Sequence, residues 1–379
     1  MKILHFANTE WYLFNFRQSL ARALRDAGHE VILVSPPGPY GEKLRALGFR
    51  WIPAPMRRRS LNPLRELALV RWLRNLIVTE RVDLLHGFTI KCAVYGSLAG
   101  RAARIRGRVN AVAGMGYVFS SRDVKARLLR PVVRSIMRAA LDGDRARLIL
   151  QNPDDVLLFQ QARLVASQRI RLIPGSGVDC TRFAPSAAAS QEPPARAFRV
   201  LLPARLLWDK GLAEYVAASR TLRGEGRDIE FLLAGEPDPG NPAAVPEATI
   251  RGWVGEGAIR WLGHVEDMPA LFATVDAVVL PSYREGLPKG LIEAGACGLP
   301  LVTTDVPGCR EVVTHNVDGL LVAIKDPRAL AHAIARLHDD PALRANLGVA
   351  ARRRALAEFD ERIVIAQTMD VYRELVPDA

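Results

Sequence analysis

Cysteine is scarce in this chain of 379 residues, and no cysteine stands in a paired motif. The sequence shows neither a Cys-x-x-Cys pair nor a spacing of cysteine and histidine that would suit zinc. A disulfide scaffold and a metal site are therefore not expected. Isolated cysteines of this kind indicate buried thiols in a reducing compartment, which favours a cytoplasmic protein. The four residues are Cys92, Cys180, Cys297 and Cys309.

Long apolar runs are also missing, so no segment reaches the length of a membrane-spanning helix. The chain begins with Lys2-Ile-Leu-His-Phe-Ala, which predicts a short strand and lacks the charged and apolar regions of a signal peptide. Apolar residues still make up 49% of the sequence, which excludes a disordered chain. At this length we expect two or three globular domains.

Acidic residues are scarce in the first half of the chain. Residues 1–185 have 31 Lys and Arg against 13 Asp and Glu, a net charge of +18, whereas residues 186–379 have 21 against 27, a net charge of −6. This asymmetry indicates an anionic partner for the first half, either a nucleic acid or an anionic membrane surface. The aromatic residues are not interleaved with the basic ones as a nucleic-acid stacking platform requires, which favours the membrane.

The segment from Ser120 to Leu141 is the most informative part of the basic half. Its apolar residues can share one helical stripe, and arginines recur at spacings of three and four along the flank. Such a helix can lie in a membrane interface, where each basic residue contributes roughly 1 kcal/mol. The alternative is a packed helix with a solvated face. The arginines are Arg127, Arg130, Arg134 and Arg138, and Arg57, Arg58, Arg59, Arg101, Arg104, Arg106 and Arg108 add to the positive charge.

Strand-like apolar runs alternate with helical segments in both halves of the chain. This alternation predicts α/β domains, each a doubly wound parallel sheet with helices on both faces. Ligands of such folds bind at the carboxyl ends of the strands. The small, polar and proline-bearing segment 186–195 predicts a linker between the two domains. Predicted strands begin at Ile3, Glu30, Phe49, Val82 and Leu148, and then at Phe198, Ile229, Ile259, Ala277 and Leu299.

The segment 284–294 has the layout of a ligand-binding loop, because it follows a predicted buried strand and leads into a predicted helix. With Pro288 as the first helical residue, the backbone N–H groups of residues 286–290 lack intrahelical partners and suit a phosphate or a sugar hydroxyl. Glu285 and Glu293 bracket these amides, so one carboxylate can hold a sugar and the other a ribose. A Glu-x7-Glu pair on its own also fits a solvated loop charge and an ordinary helix residue.

A second signal lies upstream of this loop. The predicted strand that begins at Phe198 is followed by Arg205 and Lys210, and then by a predicted helix. Two cations at the carboxyl end of a strand, beside a helix start, suit a diphosphate that no metal shields.

Taken in order, Arg205 with Lys210, Gly235, His264, and Glu285 with Glu293 resemble the motifs of the retaining GT-B glycosyltransferases, family 4. The resemblance covers essentially the whole chain and is specific in its second half. It implies a nucleotide-sugar donor, with the two cations on the diphosphate and Glu293 on the ribose. The amides of Gly286 and Leu287 would hold the donor sugar together with Glu285, which joins Arg205 and Lys210 as a catalytic candidate. Further donor-binding candidates are Gly235, His264, Pro288, Lys289 and Gly290.

The first half resembles a subgroup of the same family that extends polyprenyl-diphosphate-linked oligosaccharides in bacterial surface-polysaccharide and glycan assembly. This resemblance rests on segments 88–101 and 108–119. It supplies acceptor-side candidates at Asn8, Thr9, Lys91, Gly114, Gly116 and Tyr117.

Two departures from the family pattern limit what can be carried over. The loop after the first strand lacks the glycine pair of many members, and no histidine stands near Gly114. Asn15 is expected to cap a helix, although Asn8 and Thr9 offer the same chemistry. His86, at a strand end, is expected to be a structural residue, and Arg17 has no assignable role from sequence.

The sequence thus predicts a metal-independent glycosyltransferase that needs no cofactor besides its UDP-sugar substrate. Residues 1–185 would form an acceptor- and membrane-facing domain, residues 196–360 the nucleotide-sugar domain, and residues 361–379 a closing helix that returns to the first domain. The active site would lie in the cleft between the domains, on the inner face of the cell membrane. The acceptor would be a polyprenyl-diphosphate-linked saccharide, and the sugar a hexose or an N-acetylhexosamine. The alternatives are a UDP-sugar 2-epimerase of the same fold and a basic nucleic-acid- or membrane-binding protein with a vestigial cleft.

Overall fold

The computed structural model describes residues 1–58, 60, 62–112, 124–186, 196–238 and 240–377, with the backbone alone at 124–130 and 132. The chain divides into two compact units, one formed by Met1–Ser176 with Ile363–Ala379 and the other by Gly177–Arg362. Each unit is built on one parallel sheet, which confirms the predicted pair of doubly wound α/β domains.

The first unit contains a seven-stranded sheet. Its strands are β1 (Lys2–Phe6), β2 (Glu30–Ser35), β3 (Arg50–Pro53), β4 (Leu84–Phe88), β5 (Gly107–Ala111), β6 (Ala146–Leu150) and β7 (Ile170–Leu172). They lie in the order β3-β2-β1-β4-β5-β6-β7. The described helices are α1 (Glu10–Phe16), α2 (Gln18–Asp26), α3 (Tyr40–Ala46), α4 (Pro63–Glu80), α5 (Ile90–Ala102), α6 (Val124–Leu141) and α7 (Pro153–Gln161).

The second unit contains a six-stranded sheet. Its strands are β8 (Phe198–Pro203), β9 (Ile229–Ala234), β10 (Arg260–Gly263), β11 (Ala277–Leu280), β12 (Leu301–Thr304) and β13 (Leu320–Val322). They lie in the order β10-β9-β8-β11-β12-β13. The described helices are α8 (Leu212–Gly224), α9 (Glu247–Gly255), α10 (Met268–Phe272), α11 (Lys289–Ala296), α12 (Pro327–Asp339) and α13 (Pro341–Arg354), and α14 (Glu361–Leu375) follows them.

The central strands of both sheets are almost entirely apolar because helices cover both faces of each sheet. All four residues of β11 are buried, as are the last five of β2. This double coverage explains why the sequence shows continuous Val, Ile and Leu runs rather than an alternation of apolar and polar residues.

Each sheet reverses its strand order at one point. In the first sheet the reversal lies between β1 and β4, and in the second it lies between β8 and β11. The loops that leave the carboxyl ends of such strand pairs diverge to opposite sides and leave a crevice, where ligands of open α/β sheets bind. The loops after β8 and β11 contain Arg205, Lys210 and Glu285.

The division between the units differs from the predicted boundary at residue 185. Val178 donates its backbone N–H to Phe359 and forms an isolated bridge with Asp360, while Cys180 and Phe183 lie in the core of the second unit. An extended segment belongs to the unit against whose core its apolar side chains pack. The composition of the segment does not show which unit that is. Of the predicted linker 186–195, only its first residue lies within the described part of the chain.

The last helix, α14, packs on the first sheet. Its Val364, Val371 and Tyr372 belong to the same core cluster as Ile3 and Leu84. Near its end, Glu374 accepts hydrogen bonds from Arg147 and Arg171, at 2.6–2.8 Å. The chain therefore crosses from the second unit back to the first between Arg362 and Ile363.

The basic segment is helical over α6, which starts four residues after Ser120 and includes Pro131. Met137 is buried, whereas Arg134, Ile136 and Arg138 are exposed. Not all of the basic residues face solvent, because Arg108 is buried. Arg101 is exposed and donates to the carbonyl of Ala139 at the end of this helix. Across the described residues, we find no helix with the length and hydropathy of a membrane span.

Candidate functional site

The loop after β8 and the loop after β11 are packed tightly against each other in the second unit. Gly211 lies between them with φ of +75°, and a Cβ there would lie 2.1 Å from the carbonyl oxygen of Pro281. Only glycine fits this contact. The backbone N–H of Tyr283 also donates to the carbonyl of Asp209, at 2.9 Å. These backbone contacts hold the two predicted ligand-binding loops in a fixed register.

An ion pair links the two loops through their side chains. The Lys210 ammonium lies 2.5 Å from Oε1 of Glu285, and the two side chains are only 15% and 13% exposed. The same oxygen accepts a hydrogen bond of 2.6 Å from the hydroxyl of Ser282. The sequence predicted Lys210 and Glu285 separately, and the structure brings them into direct contact.

A second side-chain bridge links the loop after β11 to the first turn of α8. The phenol of Tyr283 donates to Oε1 of Glu214 at 2.7 Å. Burial, followed by this bond to the Glu214 carboxylate, holds the pKa of Tyr283 above its ordinary value. Oε2 of Glu214 is buried and has no hydrogen-bond partner within the described part of the chain. Sequence reasoning missed both residues, although Tyr283 lies two positions before Glu285 and Glu214 four positions after Lys210.

Arg205 lies at the exit of β8 and is paired differently from Lys210. Its guanidinium donates to Oδ2 of Asp238 at 3.0 Å, and the Arg205 side chain is 52% exposed. Asn241 donates to the same carboxylate oxygen, also at 3.0 Å. The cation expected to bind a diphosphate thus forms an ion pair with a carboxylate while about half of its side chain stays exposed.

Gly235 and His264 lie at the carboxyl ends of β9 and β10. Gly235 has φ of +146°, and a Cβ there would lie 1.9 Å from the carbonyl oxygen of Ala204. Its backbone joins neighbouring strands, because its N–H donates to Gly263 and its carbonyl accepts from the indole of Trp261. Gly235 therefore shapes the edge of the sheet, and His264 is exposed beside it.

The helix after Glu285 begins one residue later than predicted. Pro288 is the N-cap of α11 rather than its first residue, and no side chain caps the helix. Its N-terminus therefore has no competing side-chain acceptor at the cap. Gly290 is not required by packing, since a Cβ there would meet Pro203 at an ordinary 3.6 Å. Leu287 is half-buried and packs against the core of this unit.

Glu293 lies in the second turn of α11. Its side chain is 15% exposed and lies 3.5 Å from the ammonium of Lys289. Burial raises the pKa of Glu293, and the nearby lysine charge opposes that rise. Lys289, predicted as a donor contact, therefore forms an ion pair within the helix and can also stabilise the carboxylate expected to bind a ribose.

The loop containing Glu285 also packs against the end of β12 and the residues that follow it. Glu285 donates its backbone N–H to Pro307, and a Cβ on Gly308, whose φ is +86°, would lie 2.5 Å from the carbonyl oxygen of Glu285. The hydroxyl of Thr304 donates to the carbonyl of Ser282. These contacts place Gly286 at a fixed position between Glu285 and the start of α11.

In the first unit, the candidates after β1 serve the local structure. Thr9 is the N-cap of α1, and its hydroxyl accepts from the backbone N–H of Tyr12 at 3.1 Å. Asn15 does not cap a helix as predicted, because its amide donates to the carbonyl of Trp11 one turn earlier. Asn8, which is half-buried, precedes this cap. The cap is formed by the residue whose extended backbone precedes the helix, and that residue is Thr9.

Lys91, the candidate after β4, fixes a neighbouring loop. Its ammonium donates to the carbonyls of Arg57 and Ser60 and to Oε1 of Glu66, at 2.9–3.0 Å. All three hydrogens of the ammonium are therefore used inside the protein. The remaining acceptor-side candidates, Gly114, Gly116 and Tyr117, lie outside the described residues.

His86 is a buried structural residue, as expected, and it belongs to a cluster that sequence did not reveal. The phenol oxygen of Tyr372 lies 2.6 Å from Nδ1 of His86 and 3.2 Å from Nε2 of His5. Burial, and then the positive charge of Arg17, lowers the pKa of His5 to about 3. Arg17 is 4% exposed and lies over the ring of Phe88, 4.5 Å from its centre. The cluster fastens α14 to β1 and β4.

Among the described residues, no three His, Cys, Asp or Glu side chains gather in a way that could hold a metal ion. The described cysteines are free thiols. Burial raises the pKa of Cys309, which lies near Glu285, to about 12. This thiol is therefore protonated and unreactive at neutral pH.

Two family descriptions match this chain. Residues 15–176 match the glycosyl transferase 4-like domain, and residues 197–340 match glycosyl transferases group 1. The chain is 29% identical over 372 residues to the N,N'-diacetylbacillosaminyl-diphospho-undecaprenol alpha-1,3-N-acetylgalactosaminyltransferase of Campylobacter jejuni, with 96% of each protein covered. It is 24% identical over 293 residues to the UDP-Gal:alpha-D-GlcNAc-diphosphoundecaprenol alpha-1,3-galactosyltransferase of Escherichia coli, covering 75% of this chain and 74% of that protein.

Solved structures share the fold over the whole length of the chain. A glycosyltransferase from Rickettsia africae superposes with a TM-score of 0.80 at 19% identity, covering 100% of this chain and 99% of the other. A sucrose-phosphate synthase from Thermosynechococcus elongatus superposes with a TM-score of 0.80 at 22% identity, covering all of both chains. At these identities the similarity concerns the fold.

Proposed function

The chain belongs to family 4 of the glycosyltransferases and has the GT-B fold, and on this basis we propose that it transfers a sugar from a UDP-sugar to a polyprenyl-diphosphate-linked saccharide. The transferred sugar is a hexose or an N-acetylhexosamine, and the anomeric configuration is retained. The names of the Campylobacter and Escherichia relatives, both transferases that act on diphosphoundecaprenol-linked sugars, support the acceptor class. The product is a lipid-linked glycan of bacterial surface-polysaccharide or glycan assembly.

The observation that carries this proposal is the contact between Lys210 and Glu285 across the strand reversal of the second sheet. Transfer breaks the bond between the anomeric carbon and the diphosphate, so negative charge develops on the leaving UDP. Lys210 and Arg205 lie at the carboxyl end of β8, where they can bind that charge. Glu285 lies at the end of β11, where its carboxylate can accept hydrogen bonds from the donor sugar.

The remaining candidates fit around this pair. Glu293, one helical turn deeper, accepts from the ribose hydroxyls, and its ion pair with Lys289 favours the charged carboxylate against the effect of burial. The N-terminus of α11 adds its partial positive charge to the site. Gly286, Leu287 and Gly290 supply backbone at this helix start.

Arg205 changes partner when the donor binds. Its guanidinium donates to Asp238, and a bidentate contact with the diphosphate can take the place of that ion pair. The ion pair with Asp238 holds the guanidinium at the exit of β8, where the donor diphosphate is expected.

We propose that these cations balance the diphosphate without a metal ion. Transfer activity is then expected to survive in excess EDTA, measured with donor and acceptor both saturating. A strict requirement for Mg²⁺ or Mn²⁺ would contradict the assignment of Arg205 and Lys210 to the diphosphate.

The first unit binds the lipid-linked acceptor at the inner face of the cell membrane. Residues 1–185 have a net charge of +18, and the described part of α6 exposes Arg134, Ile136 and Arg138. Arg134 and Arg138, one helical turn apart, share an exposed face that suits an anionic headgroup region. This membrane role rests on charge and exposure.

The epimerase and the nucleic-acid-binding protein would each behave differently from a transferase in an assay. A UDP-sugar 2-epimerase would convert its donor without any acceptor, and a nucleic-acid-binding protein would convert nothing. The relatives above are named as transferases, which favours transfer.

The test of the proposed function is a panel of UDP-sugars with a polyprenyl-diphosphate-sugar acceptor. We expect release of UDP and a glycan longer by one sugar with one donor, and no conversion of that donor without acceptor. Conversion of a donor in the absence of acceptor would support the epimerase instead. No reaction with any pair would overturn the proposal.

A further inference from the structure

We propose that Ser282 is a positioning residue that orients the Glu285 carboxylate toward the donor sugar. This inference rests on the proposed function, because it assigns Ser282 a role in transfer that acts through Glu285. Ser282 follows β11 and is completely buried, so it does not touch the substrate itself.

The geometry of the carboxylate carries the proposal. Oε1 of Glu285 accepts from both the Ser282 hydroxyl, at 2.6 Å, and the Lys210 ammonium, at 2.5 Å. Two donors on one oxygen fix the rotation of the carboxylate about its last side-chain bond. Both donors act on Oε1, so Oε2 is the oxygen that they leave for a ligand hydroxyl.

The two donors differ in what they can do. A lysine ammonium on four flexible bonds attracts the carboxylate but directs it weakly. The Ser282 hydroxyl is short, fully buried and attached to a clamped backbone, since the carbonyl of Ser282 accepts from Thr304. The serine therefore supplies direction, whereas the lysine supplies charge.

A purely structural serine would hold its own loop rather than another side chain. The loop is already held by backbone contacts from Tyr283 to Asp209 and from Glu285 to Pro307. The Ser282 hydroxyl instead donates to the side chain of Glu285. Its loss should therefore leave the loop in place and free the carboxylate to rotate.

The primary test is Ser282→Ala in the full-length protein, assayed for transfer and for UDP binding. We expect kcat to fall about tenfold, because a charge-assisted hydrogen bond is lost. The Kd for UDP, which lacks the sugar, should stay within about twofold of wild type. Ser282→Thr keeps the hydroxyl and is expected to recover activity wherever its extra methyl is accommodated. An unchanged kcat in folded Ser282→Ala would overturn the proposal.

Ser219→Ala is the matched control. Ser219 lies on α8, is also completely buried, and its hydroxyl donates to the carbonyl of Ala258 at 2.5 Å. The substitution removes the same hydroxyl from the same unit. Ser219 lies in the middle of α8, whereas Glu285 lies in the loop after β11. We expect normal kcat and normal UDP binding from this variant.

A double-mutant cycle with Glu285→Gln separates positioning from stability. If Ser282 acts through the carboxylate, Ser282→Ala should cause little further loss of kcat once Glu285 is replaced. An equal tenfold loss in both backgrounds would overturn the proposal, as would weakened UDP binding in step with kcat. These outcomes are distinct from failure of the proposed function, in which wild type itself transfers no sugar.

Discussion

The two sheets place different chemistry at the points where their strand order reverses. In the second unit, the loops after β8 and β11 bring together Lys210 and Glu285, which are charged and partly exposed. In the first unit, the paired strands β1 and β4 contain His5 and His86, which are 0% and 1% exposed and bind the phenol of Tyr372. The same topology therefore holds a partly exposed ion pair in one sheet and docks a helix in the other.

The difference shows that topology provides a location and that side chains decide its use. A partly exposed ion pair such as Lys210 with Glu285 can exchange partners with an incoming ligand, since water and ligand both reach the charges. A histidine pair without water stays neutral, because charging it inside the core costs several kcal/mol.

The largest effect is expected from reversing charge in the basic half. Changing Arg127, Arg130 and Arg134 to Glu should weaken binding to anionic vesicles by roughly a hundredfold or more, at about 1 kcal/mol for each residue. Wild-type binding should also weaken as added salt shortens the Debye length. Vesicle flotation at several fractions of anionic lipid measures this binding.

The matched control reverses three exposed arginines of the second unit, Arg220, Arg251 and Arg260. This variant has the same net charge as the first triple variant and should bind vesicles like wild type. The first triple variant should also lose activity on a long-chain lipid acceptor but keep activity on a short water-soluble analogue. Equal binding by the two triple variants would refute a membrane role for α6.

The next effect concerns the cations of the second unit. Lys210→Ala and Arg205→Ala should each lower kcat/KM by ten- to a hundredfold without unfolding the protein, because each removes charge-assisted contacts of about 1.5–3 kcal/mol. Lys210→Ala should be the more severe, since it also leaves Glu285 without its cation. Steady-state kinetics and circular dichroism check both points, with Arg251→Ala as the exposed control. Wild-type kinetics in either folded variant would show that the substituted residue does not bind the diphosphate.

A smaller effect is expected from acid on the first unit. Folding lowers the pKa of His5 from its ordinary 6.5 to about 3, so between these values the unfolded chain binds a proton that the folded unit does not. Stability is therefore highest above about pH 6.5 and falls as the pH is lowered. At pH 5 the loss is about 2 kcal/mol from His5 alone, and His86 shifts in the same direction.

Hydrogen exchange can locate that loss within the molecule. The protection of amides in β1 and β4 should fall between pH 7.5 and pH 5 after correction for intrinsic exchange. Amides in β8 and β11 are the internal control, because His5 and His86 are the buried histidines among the described residues. Equal loss of protection in both units would show that the His5, His86 and Tyr372 cluster is not responsible.

The sequence predicted the architecture better than it predicted the partners within the site. Continuous apolar runs that alternate with helical segments were sufficient to predict two parallel sheets. Strands that helices cover on both faces are apolar throughout, and this leaves such runs in the sequence. Lys210 and Glu285 were found because each lies in a strand-loop-helix motif. The direct contact between them was not predicted, because it joins residues that are 75 positions apart in the sequence.

The missed contacts share one physical cause. His5 and Tyr372 are 367 positions apart, and Arg205 and Asp238 are 33 apart, so neither pair leaves a local pattern. Thr9 and Asn15 offered equivalent capping chemistry, and the backbone conformation before α1 selected Thr9. Local rules predict elements, whereas side-chain partners depend on which loops the fold brings together.

The smallest effect is expected from Tyr283→Phe, which removes the hydroxyl between the two loops of the second unit. Glu214 would lose its donor while its other carboxylate oxygen is already buried without a partner among the described residues. We expect kcat/KM to fall about three- to tenfold, equivalent to about 1 kcal/mol, because the loop containing Glu285 is held less firmly. Tyr215→Phe is the matched control, since that fully buried phenol lies within hydrogen-bond distance of the carbonyls of Val200 and Leu232 in the core and donates to one of them. The control should lower the melting temperature and leave kcat/KM unchanged. If it instead reduced activity as much as Tyr283→Phe, both effects would reflect stability, and the rigid link between the loops would not be needed for transfer.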